Sequence, residues 1–210
     1  MENNIKTNFE NHFIQKRIDF IIDYDFENDI ENKDYFIKII KKQEKTTNDF
    51  YNALIAELAT RLQIKDSRLF DKYKKYLLSP NEWFFKLCIL SYFRDTYELY
   101  KKDKKINYSF LKQILISKYD RLIVKNQVLI DLMIFYPKEK KMYIQMLLKN
   151  LSKTTDYRSF IRTFNNLMNY NLSKDFSNDD ILKIIKITED KNLGKAVTEK
   201  LLEFKDFIKE

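Results

Sequence analysis

The sequence predicts an all-α chain, a right-handed α-solenoid of about five antiparallel helical hairpins closed by a C-terminal capping helix. Three observations predict it. An apolar pair one helical turn apart recurs at Ile14/Ile18, Tyr51/Ile55, Phe84/Cys88, Val124/Val128, Phe160/Phe164 and Leu193/Val197, in steps of 37, 33, 40, 36 and 33 residues. Between these lies a second series of adjacent apolar residues at Phe36-Ile37, Leu69-Phe70, Phe110-Leu111, Tyr143-Ile144 and Ile181-Leu182, in steps of 33, 41, 33 and 38. Two interleaved series with matching steps are the mark of stacked two-helix units that bury their apolar faces on one another. The third observation is scarcity: Gly194 is the only glycine, and Pro80 and Pro137 are the only prolines, in 210 residues. Sheet-rich folds need many more turn glycines, whereas short helix–helix links do not.

The elements follow in order. The first hairpin pairs a helix over Phe9–Tyr24 with one over Lys33–Lys42, joined by the acidic stretch Asp23–Asp34. Thr46-Thr47-Asn48-Asp49 carries N-cap chemistry for a helix over Asp49–Leu62, and Asp66-Ser67 does the same for its partner, which ends near Leu78. Ser79-Pro80-Asn81-Glu82 opens a long helix reaching Tyr100, because proline is tolerated in a first turn and an acid favours a helix N-terminus. The basic run Lys101-Lys102-Asp103-Lys104-Lys105 ends it. A helix over Tyr108–Ile116 leads to one over Asp120–Tyr136, which Pro137 stops. Helices over Glu139–Leu151 and Tyr157–Tyr170 come next, then one capped by Ser177-Asn178-Asp179-Asp180 and ending near Ile187. The last helix, Lys191–Lys209, has no partner, and its charged face of Lys195, Glu199, Lys200, Glu203 and Lys205 suits a solenoid end that must stay wet. No stretch reads as an interdomain linker, so residues 1–210 are expected to form a single domain.

Composition narrows the function. The lone Cys88 rules out an intrachain disulfide and reads as a small buried hydrophobe. The polar start Met1–Lys6 carries no apolar signal core, and the apolar run Val128–Tyr136 is interrupted by Asp131, so no membrane segment and a cytoplasmic setting are expected. The sole histidine, His12, cannot build a Ser-His-Asp, Cys-His or multi-histidine metal site within one chain. One glycine makes no phosphate-cradling loop. The alternating acids Asp23, Asp25, Glu27, Asp29 and Glu31 imitate a calcium loop but place Asn28 and Asp34 where such a loop has glycine and glutamate. No metal, no cofactor and no catalytic set is expected. Asp131, the acid nearest to standing on an apolar face, reads as solvent-facing or lysine-paired.

Charge is the remaining signal. The net +8 is distributed unevenly: residues 66–158 carry 20 basic and 10 acidic side chains, while residues 1–45 carry 8 and 10. The second-series helices bring lysines to a common face, with Lys38, Lys112 and Lys183 at the same place in the first, third and fifth repeats. Lys72, Lys75, Lys101, Lys102, Lys112, Lys140, Lys141 and Lys149 are therefore the candidate binding residues. Tyr73, Tyr76, Tyr97 and Tyr100 lie close enough in sequence to stack on a base or anchor a protein contact if exposed, and fill the hairpin core if not. The expected partner is a macromolecule with an acidic surface, a protein before a nucleic acid. The expected role is a non-enzymatic adaptor, inhibitor or toxin-immunity module.

The run Val124-Lys125-Asn126-Gln127-Val128-Leu129-Ile130-Asp131-Leu132 resembles a helix of a HEAT-like repeat, and that likeness extends loosely along nearly the whole chain. Ser79–Phe93 is similar to the repeat of bacterial helical-repeat alkylpurine DNA glycosylases in which tryptophan is followed three residues later by arginine; here the pair is Trp83 and Lys86. Ile123–Tyr136 and Tyr157–Leu167 would be the succeeding repeats. The pattern departs from that family where Phe50–Leu62 offers only Tyr51 and Glu57, and where Ile130 stands near an expected tryptophan. This second resemblance implies the alternative function, a nucleic-acid-binding HEAT-like protein related to DNA-alkylation repair that uses the basic 66–158 region.

Overall fold

A computed structural model describes residues 9, 14–24, 32–43, 47–97 and 108–209. The chain is all-helical, with no strand among the described residues. It divides into two compact units, 1–106 and 107–210.

The first unit contains α1 (Ile14–Asp23), α2 (Lys33–Gln43), α3 (Asp49–Arg61), α4 (Ser67–Leu77) and α5 (Trp83–Tyr97). Helices one repeat apart lie side by side, α1 on α3 and α3 on α5, while α2 packs on α3 and α4 on α5. Two starts are set by local chemistry that the sequence announces. Asn48 accepts from the backbone N–H of Phe50 and Tyr51 through its side chain, and Asp66 does so from Arg68 and Leu69. The core is aromatic. Phe9 meets Phe36 and Phe20 edge-on at 5.5 and 5.8 Å. Tyr73 meets Tyr92 at 5.4 Å and Phe85 at 6.1 Å, again edge-on.

The Ser79–Lys86 segment does more to close α4 than to open α5, contrary to the sequence expectation. Ser79 Oγ donates to the Lys75 carbonyl (2.9 Å), Asn81 Nδ2 to Tyr76 O (2.8 Å) and Lys86 Nζ to Leu77 O (2.9 Å). Three side chains thereby satisfy carbonyls that the end of a helix leaves open, and an ammonium there also suits the helix dipole. Pro80 stands three residues ahead of Trp83, outside the helix.

The second unit contains a 3₁₀ turn (Tyr108–Phe110) running into the short α6 (Leu111–Ile116), then α7 (Leu122–Phe135), a 3₁₀ turn (Pro137–Glu139), α8 (Lys140–Lys153), α9 (Tyr157–Asn169), a 3₁₀ turn (Leu172–Asp175), α10 (Asn178–Lys191) and α11 (Lys195–Phe207). Here α7 packs on α9, α9 on α11 and α8 on α10, while α6 and α8 both contact α7. Ser177 and Asp180 form a reciprocal capping box at the start of α10. That helix continues four residues beyond Ile187. It is ended by Asn192 in the left-handed region (φ 46°) and followed by Gly194 at φ 91°, a conformation in which a Cβ would strain the backbone although the space around it is open.

Candidate functional site

The even-numbered helices α4, α6 and α8 carry six of the eight candidate lysines, and their surroundings separate the lysines into two groups. One group is engaged in internal contacts. Lys112 on α6 contacts both carboxylate oxygens of Glu139 (3.2 and 2.9 Å), whose Oε2 also accepts from the Tyr143 hydroxyl at 2.6 Å. The Lys112 ammonium lies 5.3 Å from the centre of the Tyr136 ring. Electrostatics follow from that geometry. The Tyr143 hydroxyl and the Lys112 ammonium together hold the Glu139 carboxyl below its usual range, and Glu139 in turn raises Lys112. Burial, then Glu139, pushes the Tyr143 phenol up. Lys140 pairs with Asp175 at 2.6 Å, and Lys72 lies 5.8 Å from the centre of the Tyr76 ring. Lys112 and Lys140 thus fasten one element to the next, whereas the Lys72 contact lies within α4.

The second group faces solvent. Lys75 on α4 is exposed, as are Lys141 and Lys149 on α8. Lys141, Gln145 and Lys149 are spaced four apart, so they form one stripe along α8, with the half-exposed Met142 beside it. Gln145 Nε2 donates to Asp180 Oδ1 at 2.7 Å and joins this stripe to α10. There Leu182, Lys183 and Lys186 are exposed. Burial raises the Asp180 carboxyl, but bonds from Ser177 and Gln145 outweigh that and leave it below its usual range, ionised at the junction. The result is a surface with apolar points, cationic along α8 and mixed along α10, where exposed Asp179 and Asp190 stand with Lys183 and Lys186; the two helices pack side by side. Lys101 and Lys102 lie outside the described residues, as do His12 and Asp25–Glu31 of the acidic stretch. Among the described residues there is no cluster of acids, histidine or cysteine able to hold a metal.

The structure answers several sequence expectations, bearing out the core alternative for Tyr73 and correcting the reading of Asp131. Tyr73 is fully buried, with its phenol raised well above the usual range chiefly by that burial, so it is a core residue and not a surface anchor. Asp131 does not face solvent: it is 1% exposed and accepts from Gln127 Nε2 at 2.9 Å. Gln127 Oε1 in turn accepts from Arg162 Nε (2.7 Å) and Asn166 Nδ2 (2.9 Å), which makes a buried polar seam between α7 and α9. Sequence reasoning missed this seam, although Gln127–Arg162 and Asp131–Asn166 are each separated by 35 residues, one repeat step. Cys88 is buried, as expected. Lys86 is 1% exposed and directed at the end of α4, while Glu57 pairs with Arg61 at 3.1 Å.

Missed altogether were two exposed anchors at the end of α6. Ile116 is 83% and Tyr119 78% exposed, more than any other large hydrophobic side chain among the described residues. Their only signal in the sequence is position, just past the last apolar residues of a short helix. No helix among the described residues is long and apolar enough to cross a membrane. Compared with protein-family models, with curated proteins and with solved structures, the chain finds no match in any of the three.

Proposed function

We propose that this chain is a non-enzymatic helical-repeat module, a right-handed α-solenoid of antiparallel hairpins in the HEAT-like manner, that docks an acidic protein surface in the cytoplasm. An adaptor, inhibitor or toxin-immunity role fits such a module. The observation that carries the reading is the α8/α10 face, where Lys141, Lys149, Lys183 and Lys186 stand in solvent around Met142 and Leu182. The side-by-side packing of helices one repeat apart in each unit supports the solenoid part, because that packing leaves a continuous wall free for contact. A rigid wall orders little on binding, which favours docking over chemistry. Protein is favoured over nucleic acid because Lys112 and Lys140, two of the candidate lysines that would meet phosphates along a nucleic-acid backbone, are already held by Glu139 and Asp175.

The test is fluorescence anisotropy of labelled poly-glutamate and of a short DNA duplex with the full chain, at low and at physiological salt. Poly-glutamate should bind, and Lys141→Glu with Lys149→Glu should weaken that binding by roughly tenfold through slower association and lost complementarity. Duplex binding with a steep salt dependence and no binding of poly-glutamate would transfer the function to nucleic acid. Binding of neither probe would remove the acidic partner altogether.

A further inference from the structure

We infer that the loop from Ile116 to Arg121 is a preformed hot spot, in which Ile116 and Tyr119 enter apolar recesses of an acidic protein while Lys118 meets its carboxylates. The inference rests on the docking reading above and names a second contact point for it, on a different element from the α8/α10 face. Its starting point is the exposure of Ile116 and Tyr119, 83% and 78%. Burial of large apolar side chains is favourable in proportion to the area removed from water, so leaving both in water brings the fold no benefit.

The loop that carries them is nonetheless well held. Ser117 is the C-cap of α6, and its N–H donates to Ile114 O at 3.2 Å. Its Oγ accepts from the Tyr119 N–H at 3.2 Å, and its carbonyl accepts from Lys125 Nζ at 2.6 Å. On the far side, the N–H groups of Val124 and Lys125 donate to Arg121 O at 3.0 and 3.2 Å. A backbone tied at both ends presents its side chains without the ordering cost that a floppy loop would bring to binding. Tyrosine and arginine, here Tyr119 and Arg121, are also among the residue types in which hot spots are enriched.

Charge decides the class of partner. Residues 111–125 hold Lys112, Lys118, Arg121 and Lys125 against Asp120 alone, four cations to one anion. Glu139 answers Lys112, yet Lys118 is exposed and has no ion-pair partner among the described residues. A complementary surface must therefore be acidic. It must also be protein: an aliphatic isoleucine neither stacks on a base nor bonds to phosphate, and a phosphate backbone offers it no recess.

The experiment is selection of random peptides displayed on phage against the full chain, followed by affinity measurement of the winning peptides and of a short DNA duplex. Winners should combine Asp or Glu with a large apolar residue. Ile116→Ser with Tyr119→Ala should weaken them by about 30-fold or more, Tyr119→Phe should leave them within about threefold, and Lys118→Glu should fall between. All three positions are on the surface, so an unchanged melting temperature certifies each variant as folded. Selected peptides that ignore the loop variant but are lost with Lys141→Glu and Lys149→Glu would overturn the hot spot and leave the docking module intact. Winners without acidic enrichment, or a chain that binds only the duplex, would bring down the docking reading itself.

Discussion

The two units hold the same kind of contact in different ways. In the first, α3 lies against α5 through apolar and aromatic side chains, and two phenols beside them donate to backbone: Tyr73 to Asn52 O at 3.3 Å and Tyr92 to Ile64 O at 3.2 Å. In the second, α7 lies against α9 one repeat later, and side chain bonds to side chain across the seam through Arg162, Gln127, Asn166 and Asp131. Aromatic burial is strong but tolerant of small shifts, because it scales with area and not with direction. A closed polar chain is weaker in net terms and much less forgiving, since moving one helix by a turn would leave several buried groups unpaired. The comparison teaches that a repeat can keep its step while exchanging an adhesive joint for one that also fixes register.

The largest expected effect tests the adhesive joint. Tyr73→Ala removes a fully buried ring from between Phe85 and Tyr92 and should cost about 3–5 kcal/mol in urea unfolding. Tyr73→Phe keeps the ring and loses only the bond to Asn52 O, for about 1 kcal/mol. If the two variants lost equal stability, the first unit would also depend on its polar contacts, and the contrast with the second would disappear.

Next in size comes the seam itself. Gln127→Leu retains the volume but leaves the Arg162 Nε and Asn166 Nδ2 donors without this acceptor, and takes from Asp131 one of its bonds. A loss of roughly 2–4 kcal/mol is expected, because the groups that remain are desolvated. Gln127→Glu restores an acceptor but sets a second carboxylate beside Asp131, and should fare no better. Thermal unfolding of the pair decides the matter: a cost below about 1 kcal/mol for Gln127→Leu would mean that the seam is incidental to register.

How much of this was legible beforehand depends on whether the determining chemistry is local. The helix starts at Asn48, Asp66 and Ser177 could be read because a cap needs only its own next three residues. The seam could not be read from Asp131 alone, since an acid on a mostly apolar helix looks the same whether it faces water or a partner far along the chain. Only the 35-residue spacings to Arg162 and Asn166 betray it, and they have meaning only once the repeat step is known. The same reason explains Lys140. Its partner Asp175 also stands 35 residues away, so a lysine that reads as a free binding cation is an internal tie. For the binding surface, the exposed lysines of α8 were foreseen as residues, whereas Ile116 and Tyr119 were not, because hydropathy assigns large apolar side chains to the interior.

The smallest effect sharpens the comparison through pH. Among the described residues three carboxyls are held below their usual range: Asp66 in the first unit, by Arg68 foremost, and Glu139 and Asp180 in the second. A carboxyl whose folded value lies below its unfolded one adds stability that is fully present above the ordinary carboxylate range. That stability is lost as pH falls through the folded value, because the unfolded chain takes up the proton first. Two such groups against one predict that acid loosens the second unit before the first, in the region below about pH 4. Trp83, the only tryptophan, reports on the first unit alone, whereas far-ultraviolet circular dichroism reports on every helix. Helicity should therefore begin to fall at a higher pH than Trp83 emission changes, and Glu139→Gln with Asp180→Asn should bring the two curves together. Because these groups are close to solvent, the separation is expected to be small and to shrink with added salt. Curves that coincide in the unaltered chain at low salt would show that the polar contacts of the second unit carry no more pH-dependent stability than those of the first.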